Sequence, residues 1–167
     1  MGVLSDQEDM MKPLEPALNA AIILMTHRLL PAGYRVAEEA PSTYEAIASH
    51  LDSGNQMVVY SGGSENTIYE DRQVNYAFRA WHDWCHWTGK VALDMEGEVE
   101  ACQMQCHQLY DVFGFNAQTF RWSTIIKTEV IGQATYYERY QRFPTNQRMF
   151  VEHYLANPEI AFINPNL

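Results

Sequence analysis

The sequence has few cysteines, few basic residues and no long apolar run. Its 167 residues include 3 Cys, and 11 Lys and Arg stand against 21 Asp and Glu. Three cysteines cannot all pair within one chain, so a disulfide framework is not expected. The net charge of −10 repels nucleic-acid phosphates, which argues against nucleic-acid binding. The longest apolar stretch, residues 17–25, contains Asn19 and is too short for a membrane span.

The first residues also lack the basic segment followed by an apolar segment that is typical of a secretory signal. We therefore expect a cytoplasmic protein with reduced thiols. A chain of this length that is 47% apolar can bury one core. We expect a single helical domain over residues 11–156, between a flexible arm at 1–10 and a tail at 157–167.

Apolar residues recur at helical spacing through most of the chain, with capping residues and glycine or proline at the ends. The pattern predicts a mainly α fold, a single-domain bundle of five or six helices. Residues 56–60 and 66–70 are rich in Val, Ile, Tyr and Thr and flank a Ser-Gly-Gly-Ser turn, which predicts one small β-hairpin. The predicted helices cover residues 13–30, 42–54, 71–88, 94–113, 116–142 and 145–156.

The segment with the clearest chemistry is WHDWCHWTGKVALDMEGE, residues 81–98. His82 and His86 are four residues apart, so they lie on one face of the predicted helix. Glu98, at the start of the next helix, can be brought back across that face. Imidazole and carboxylate are the ligands of a divalent metal site, with zinc first and iron or manganese as alternatives. Asp83 is either a further ligand or a catalytic residue that orients an imidazole.

A second candidate lies on the long helix predicted for residues 116–142. Glu129, Gln133 and Tyr137 recur every four residues and could line the same pocket, with Glu129 as a catalytic base. The alternative is that they form a solvated helix face.

The motif His82-Asp83-x-x-His86, followed after eleven residues by Glu98, resembles the metal-binding motif of the ubiquinone-biosynthesis family called Coq-four. The resemblance covers about thirty residues and includes an Arg one turn before the motif and the Gly97-Glu98 pair. It implies an all-helical fold and a bound divalent metal, usually zinc. It also implies a site that faces a hydrophobic, prenylated quinone-type substrate.

Two other metal sites compete with this one. In a pattern similar to HD-type phosphohydrolases, His82 and Asp83 would form the central pair, with His50 and Asp111 as outer ligands. Cys102, Cys106 and His107 form the other set, although buried cysteines often serve only as small apolar residues.

The sequence supports two functions. The first is a metal-dependent hydrolase or lyase that acts on a small molecule, apolar or anionic. The second is a small acidic binding or inhibitor protein of phage or mobile-element type, with a structural histidine cluster. Residues 1–111 carry 17 acidic and 6 basic side chains, and this charge would suit docking on a basic protein partner.

Overall fold

A computed structural model of the protein describes residues 12–163. The mainly α, single-domain fold predicted from the sequence is confirmed. The flexible arm predicted for residues 1–10 lies outside the described residues. The elements in chain order are α1 (Pro16–Leu29), β1 (Tyr34–Ala37), α2 (Tyr44–Asp52), β2 (Met57–Tyr60), α3 (Arg72–Gly89), α4 (Met95–Phe113), α5 (Ala117–Lys127), a π-helical turn (Thr128–Gly132), α6 (Gln133–Tyr140), α7 (Gln147–Ala156) and α8 (Pro158–Ile163).

The helix count is slightly higher than predicted. If α5, the π-helical turn and α6 are taken as one continuous helix, residues 12–163 contain 7 helices. The additional one is α8, within the segment predicted as a tail. It is folded onto the core because Ala161 is fully buried and the Phe162 ring packs against Phe150 and Tyr154.

The predicted β-hairpin is wrong. β2 does form at residues 57–60, but it pairs in parallel with β1, and residues 66–70 are turns. A parallel pair needs a crossover connection, and α2 supplies it. Ile68 and Tyr69, which suggested the second strand, are instead buried in the core, where the Ile68 carbonyl accepts a bond from the Leu14 backbone N–H.

Helix α3 lies at the centre of the fold, in contact with α1, α2, α4 and both strands. It begins at Asp71, whose side chain accepts a hydrogen bond from the Gln73 backbone N–H. Trp81 is fully buried and donates its indole N–H to Gln108 of α4. Since α3 is enclosed on several sides, polar groups on it are held in fixed positions.

Cys85, Cys102 and Cys106 are all buried, and none forms a disulfide. Within residues 12–163, no helix combines the length and the apolar character that a membrane crossing requires.

Candidate metal centre

A polar stripe runs along α3 between its aromatic side chains. Asn75 donates a hydrogen bond to Ser64 Oγ at 2.8 Å. Arg79 donates to the backbone carbonyl oxygens of Tyr60, Gly62 and Gly63. His82 and His86 follow at the next two turns, each with both ring nitrogens in contact with polar atoms. These side chains follow helical spacing along one face of α3, and Asn75 and Arg79 hold the loop over residues 60–64 in place.

The short connection after α3 brings Glu98 to the histidines. Lys90 takes the left-handed conformation that ends α3, one residue later than the glycine predicted as its stop. Asp94 then caps α4 by accepting a hydrogen bond from the Gly97 backbone N–H at 2.9 Å. Gly97 is required here, because a Cβ at this position would lie 1.8 Å from the Ala92 carbonyl oxygen. Glu98 is thus placed in the first turn of α4, facing α3.

The three side chains converge at the interface between α3 and α4. His82 Nε2 lies 2.9 Å from Glu98 Oε2, and His86 Nε2 lies 3.5 Å from Glu98 Oε1. The two Nε2 atoms are only 3.0 Å apart. The candidate ligand atoms of His82, His86 and Glu98 all lie within 4.8 Å of one another, so this group could hold a metal ion.

The other ring nitrogens of both histidines are held by acceptors. His86 Nδ1 lies 3.1 Å from the Val91 carbonyl oxygen, which can only accept, so the proton of a neutral His86 sits on Nδ1. His82 Nδ1 lies 2.9 Å from Gln105 Oε1, which assigns the same tautomer to His82. In these tautomers both Nε2 lone pairs point toward the Glu98 carboxylate. Three electron-pair donors at this separation repel one another unless a proton or a metal cation lies between them.

The charges at the site are strongly coupled. Burial alone would raise the pKa of Glu98, but hydrogen bonds and positive charge from His82 and His86 hold it at about 2. Burial disfavours the charged form of His82, yet the bond to Glu98 and its charge raise the pKa of this imidazole above its usual value. Glu98 is therefore a carboxylate at neutral pH, as a metal ligand must be.

Access from solvent is limited to one rim of the site. The His86 side chain is 0% exposed, whereas His82 and Glu98 are 15% and 23% exposed. Two surface concavities lie elsewhere, one along α1 beside Asn19 and His27, and one beside Trp84 and Trp87. None of the three clustered side chains lines either concavity.

Asp83 is not part of the converging group, although it neighbours His82 in sequence. It is half-buried, and burial raises its pKa to about 6, while the positive charges of His82, His86 and Arg79 oppose that rise. Asp83 therefore acts on the two histidines through its charge and does not belong to the group that could hold a metal ion. Whether it orients an imidazole, as predicted, stays a prediction.

Glu129 lies in the π-helical turn and is only 7% exposed, not on a solvated helix face. Burial raises its pKa to about 8, although Arg79 and a hydrogen bond from Gln133 act in the opposite direction. Its Oε1 atom has no hydrogen-bond partner among the described residues. π-Helical turns occur often at functional sites.

The third member of that predicted face is not in the core. Tyr137 is 43% exposed, and its neighbour Tyr136 is fully buried. The prediction assumed α-helical spacing, which does not hold across the π-helical turn at Thr128–Gly132, because that turn contains more residues than an α-helical one. Gln133 is buried beside Glu129, as the spacing predicts.

The competing metal sets do not come together in the part of the chain that is described. His50 bonds to the Gln56 backbone carbonyl on the surface, and Asp111 is exposed, so neither joins the histidine pair. Cys102 and Cys106 are buried, but His107 is exposed on the other side of α4. Among residues 12–163, the group of three that could hold a metal ion is His82, His86 and Glu98.

Sequence reasoning missed Gln105 as a member of the site. It lies seven residues after Glu98, two turns along the same face of α4, and this spacing is the signal that could have identified it. Val91 was missed as well, because it contributes only its backbone carbonyl, and no residue type encodes that contact.

Comparison of the chain with protein-family models, with curated proteins and with solved structures returns no match. The function therefore has to be argued from the geometry of the site.

Proposed function

We propose that this protein binds one divalent metal ion through His82, His86 and Glu98 and acts as a metal-dependent hydrolase or lyase on a small molecule. The observation that carries the proposal is the 3.0 Å separation of the two imidazole Nε2 atoms in front of a carboxylate. Acceptors at Nδ1 leave those Nε2 atoms as lone-pair donors. This arrangement needs a proton or a metal cation between the donor atoms, and one metal cation can satisfy all three donors at once.

The donor set points to zinc, with iron or manganese as alternatives. Three protein ligands leave at least one coordination position open, which is the pattern of catalytic rather than structural zinc sites. When bound, such an ion can activate a water molecule or polarise a carbonyl or phosphoryl oxygen of the substrate. The partly exposed rim formed by His82 and Glu98 is where a substrate would enter.

The remaining roles belong to residues of the chain. Val91 and Gln105 hold the protons on the outer ring nitrogens, so the imidazoles keep one orientation. Glu129, with a pKa of about 8, can hold or release a proton near neutral pH, as a general acid or base must. Asp83, beside the histidines, supplies negative charge that favours a bound cation.

We also propose that the site is related to the metal site of the Coq-four family, which its motif resembles, and that the protein is cytoplasmic. Three of the four motif residues, His82, His86 and Glu98, are the side chains that converge, which supports a shared metal-binding role. Three buried cysteines without a disulfide are in keeping with a reducing compartment.

The experiment is metal analysis of the full chain purified without chelators, paired with substitution of the ligands. Wild-type protein should contain about one Zn, Fe or Mn per chain, and the double variant His82→Ala, His86→Ala should contain none. His107→Ala is the matched control, because His107 is exposed on α4 and outside the group. It should keep the wild-type metal content.

A wild-type protein that neither contains metal nor takes up added Zn²⁺, Fe²⁺ or Mn²⁺ would refute the proposal. The apo protein distinguishes catalysis from a structural role. A stripped chain that stays folded by circular dichroism supports an open catalytic site, and one that unfolds supports a structural one.

A further inference from the structure

Gln105 is a fully buried polar side chain in contact with one of the clustered histidines. It is 0% exposed, and its Oε1 atom lies 2.9 Å from His82 Nδ1. We propose that Gln105 is a positioning residue that sets the metal affinity of the site by holding His82 with its Nε2 lone pair toward the metal. This inference rests on the proposed metal-binding function and deepens it.

The two histidines are oriented in different ways. His86 is bonded twice to one residue, since Val91 accepts from His86 Nδ1 and its backbone N–H donates to the His86 carbonyl oxygen. That support is part of the backbone and is the same for any side chain at position 91. The ring nitrogens of His82 contact side chains rather than backbone in the described part of the chain, and the outer nitrogen depends on the amide of Gln105.

The direction of the amide decides what His82 can do. With Oε1 facing the ring, the neutral imidazole carries its proton on Nδ1 and offers Nε2 to a cation. With the amide reversed, its NH₂ group would donate to Nδ1, and the proton would move to Nε2, between His82 and Glu98. The first arrangement supports metal binding, and the second blocks it.

An uncharged acceptor also limits the charge of the site. Glu98 is the one carboxylate in the converging group, and an amide behind His82 adds none. A carboxylate in the same place would pull the Nδ1 proton more strongly and make Nε2 a better donor. Gln105 therefore orients His82 without adding a second buried negative charge.

The test compares Gln105→Met and Gln105→Glu with wild type in competition titrations of Zn²⁺ against a chelator of known affinity. Methionine keeps the volume and removes the acceptor, so the affinity should fall about 10- to 100-fold. Glutamate restores an acceptor oxygen, so its affinity should equal or exceed that of wild type. Gln103→Met is the control, because Gln103 is exposed on the same helix, and it should match wild type.

Nuclear magnetic resonance of the Zn²⁺-loaded proteins separates orientation from general loosening. The His82 Nδ1 proton should be shifted downfield and exchange slowly in wild type, and it should lose both properties in Gln105→Met. The His86 Nδ1 proton, bonded to Val91, should stay unchanged and serves as the internal control. Circular dichroism of the apo variants reports whether each one folds.

The outcomes separate this inference from the proposed function. Wild-type protein without Zn²⁺ affinity overturns both. A wild type that binds, with Gln105→Met equally tight and its His82 proton unchanged, overturns the role of Gln105 alone. If Gln105→Met does not fold, the inference is overturned when folded Gln105→Glu binds more than about tenfold more weakly than wild type.

Discussion

Glu98 and Glu129 are both glutamates in enclosed environments, but their pKa values are shifted in opposite directions. Glu98, between two histidines at the α3–α4 interface, has its pKa lowered to about 2. Glu129, in the π-helical turn, has its pKa raised to about 8 and one oxygen without a partner in the described chain. Burial acts in the same direction on both carboxyl groups, so the partners decide the outcome.

The difference teaches which carboxyl can serve which purpose. A metal ligand has to be deprotonated, and Glu98 is charged across the physiological range. An acid or base has to hold a proton near neutral pH, and Glu129 does so. The opposite pKa shifts are what these two roles require, since a ligand must stay ionised and an acid or base must exchange a proton near neutral pH.

The largest expected effect appears when each of the two carboxyl groups is replaced by an amide in turn. Glu98→Gln should lower the Zn²⁺ affinity on the order of 1,000-fold, because it removes a charged ligand. Glu129→Gln should leave the affinity within about threefold. Competition titrations measure both, and Glu96→Gln, on an exposed residue in the same turn of α4, is the control. Equal losses of Zn²⁺ affinity in Glu98→Gln and Glu129→Gln would contradict the assignment of different roles to the two carboxyl groups.

The position of Glu98 depends on the residue before it. Gly97→Ala places a Cβ against the Ala92 carbonyl, so the start of α4 must shift. We expect a loss of about 3 kcal/mol in the free energy of unfolding of the apo protein. Denaturant unfolding measures it, with Glu96→Ala as the exposed neighbouring control. A loss below about 1 kcal/mol would show that the close contact does not hold this turn in place.

Glu129 should make stability depend on pH. Its folded-state pKa of about 8 exceeds the unfolded value of about 4.3. Its contribution to stability is therefore fully present below pH about 4 and is lost as the pH rises through about 8. Between pH 5 and 7, wild type should lose about 2.5 kcal/mol more than Glu129→Gln in denaturant unfolding.

The control for that experiment is Glu138→Gln, on an exposed residue of α6, which should follow the wild-type profile. Parallel profiles for wild type and Glu129→Gln would mean that Glu129 is ionised in the folded protein. The contrast with Glu98 would then disappear.

The helices could be predicted because their signals are local. Asp71, Asp94 and Asn116 each cap the helix that the sequence assigns to them. The strand pairing could not be predicted, because Tyr34 pairs with Met57 across a helix, and nothing local distinguishes this from a hairpin. A turn at residues 66–70 is rich in strand-forming residues because the core needs them, and tertiary packing overrides propensity there.

The candidate site could be predicted from residue spacing, because that signal is also local. His82 and His86 share a helix face by geometry, and Glu98 needed only a short connection to reach them. The acceptor roles of Gln105 and Val91 were harder to predict. The spacing of Gln105 from Glu98 indicates only a shared helix face, and Val91 contributes a backbone carbonyl that no residue type encodes. The burial of Glu129 depends on how the long helix packs, which its own sequence does not specify.

X-ray absorption spectroscopy of the Zn²⁺-loaded protein tests the central claim most directly. We predict a first shell of nitrogen and oxygen at about 2.0–2.1 Å, with the outer-shell scattering of two imidazoles. This pattern should disappear in the His82→Ala, His86→Ala double variant. A shell containing sulfur at about 2.3 Å would place the metal at the cysteines, and it would contradict the assignment to His82, His86 and Glu98, as would a protein that binds no zinc.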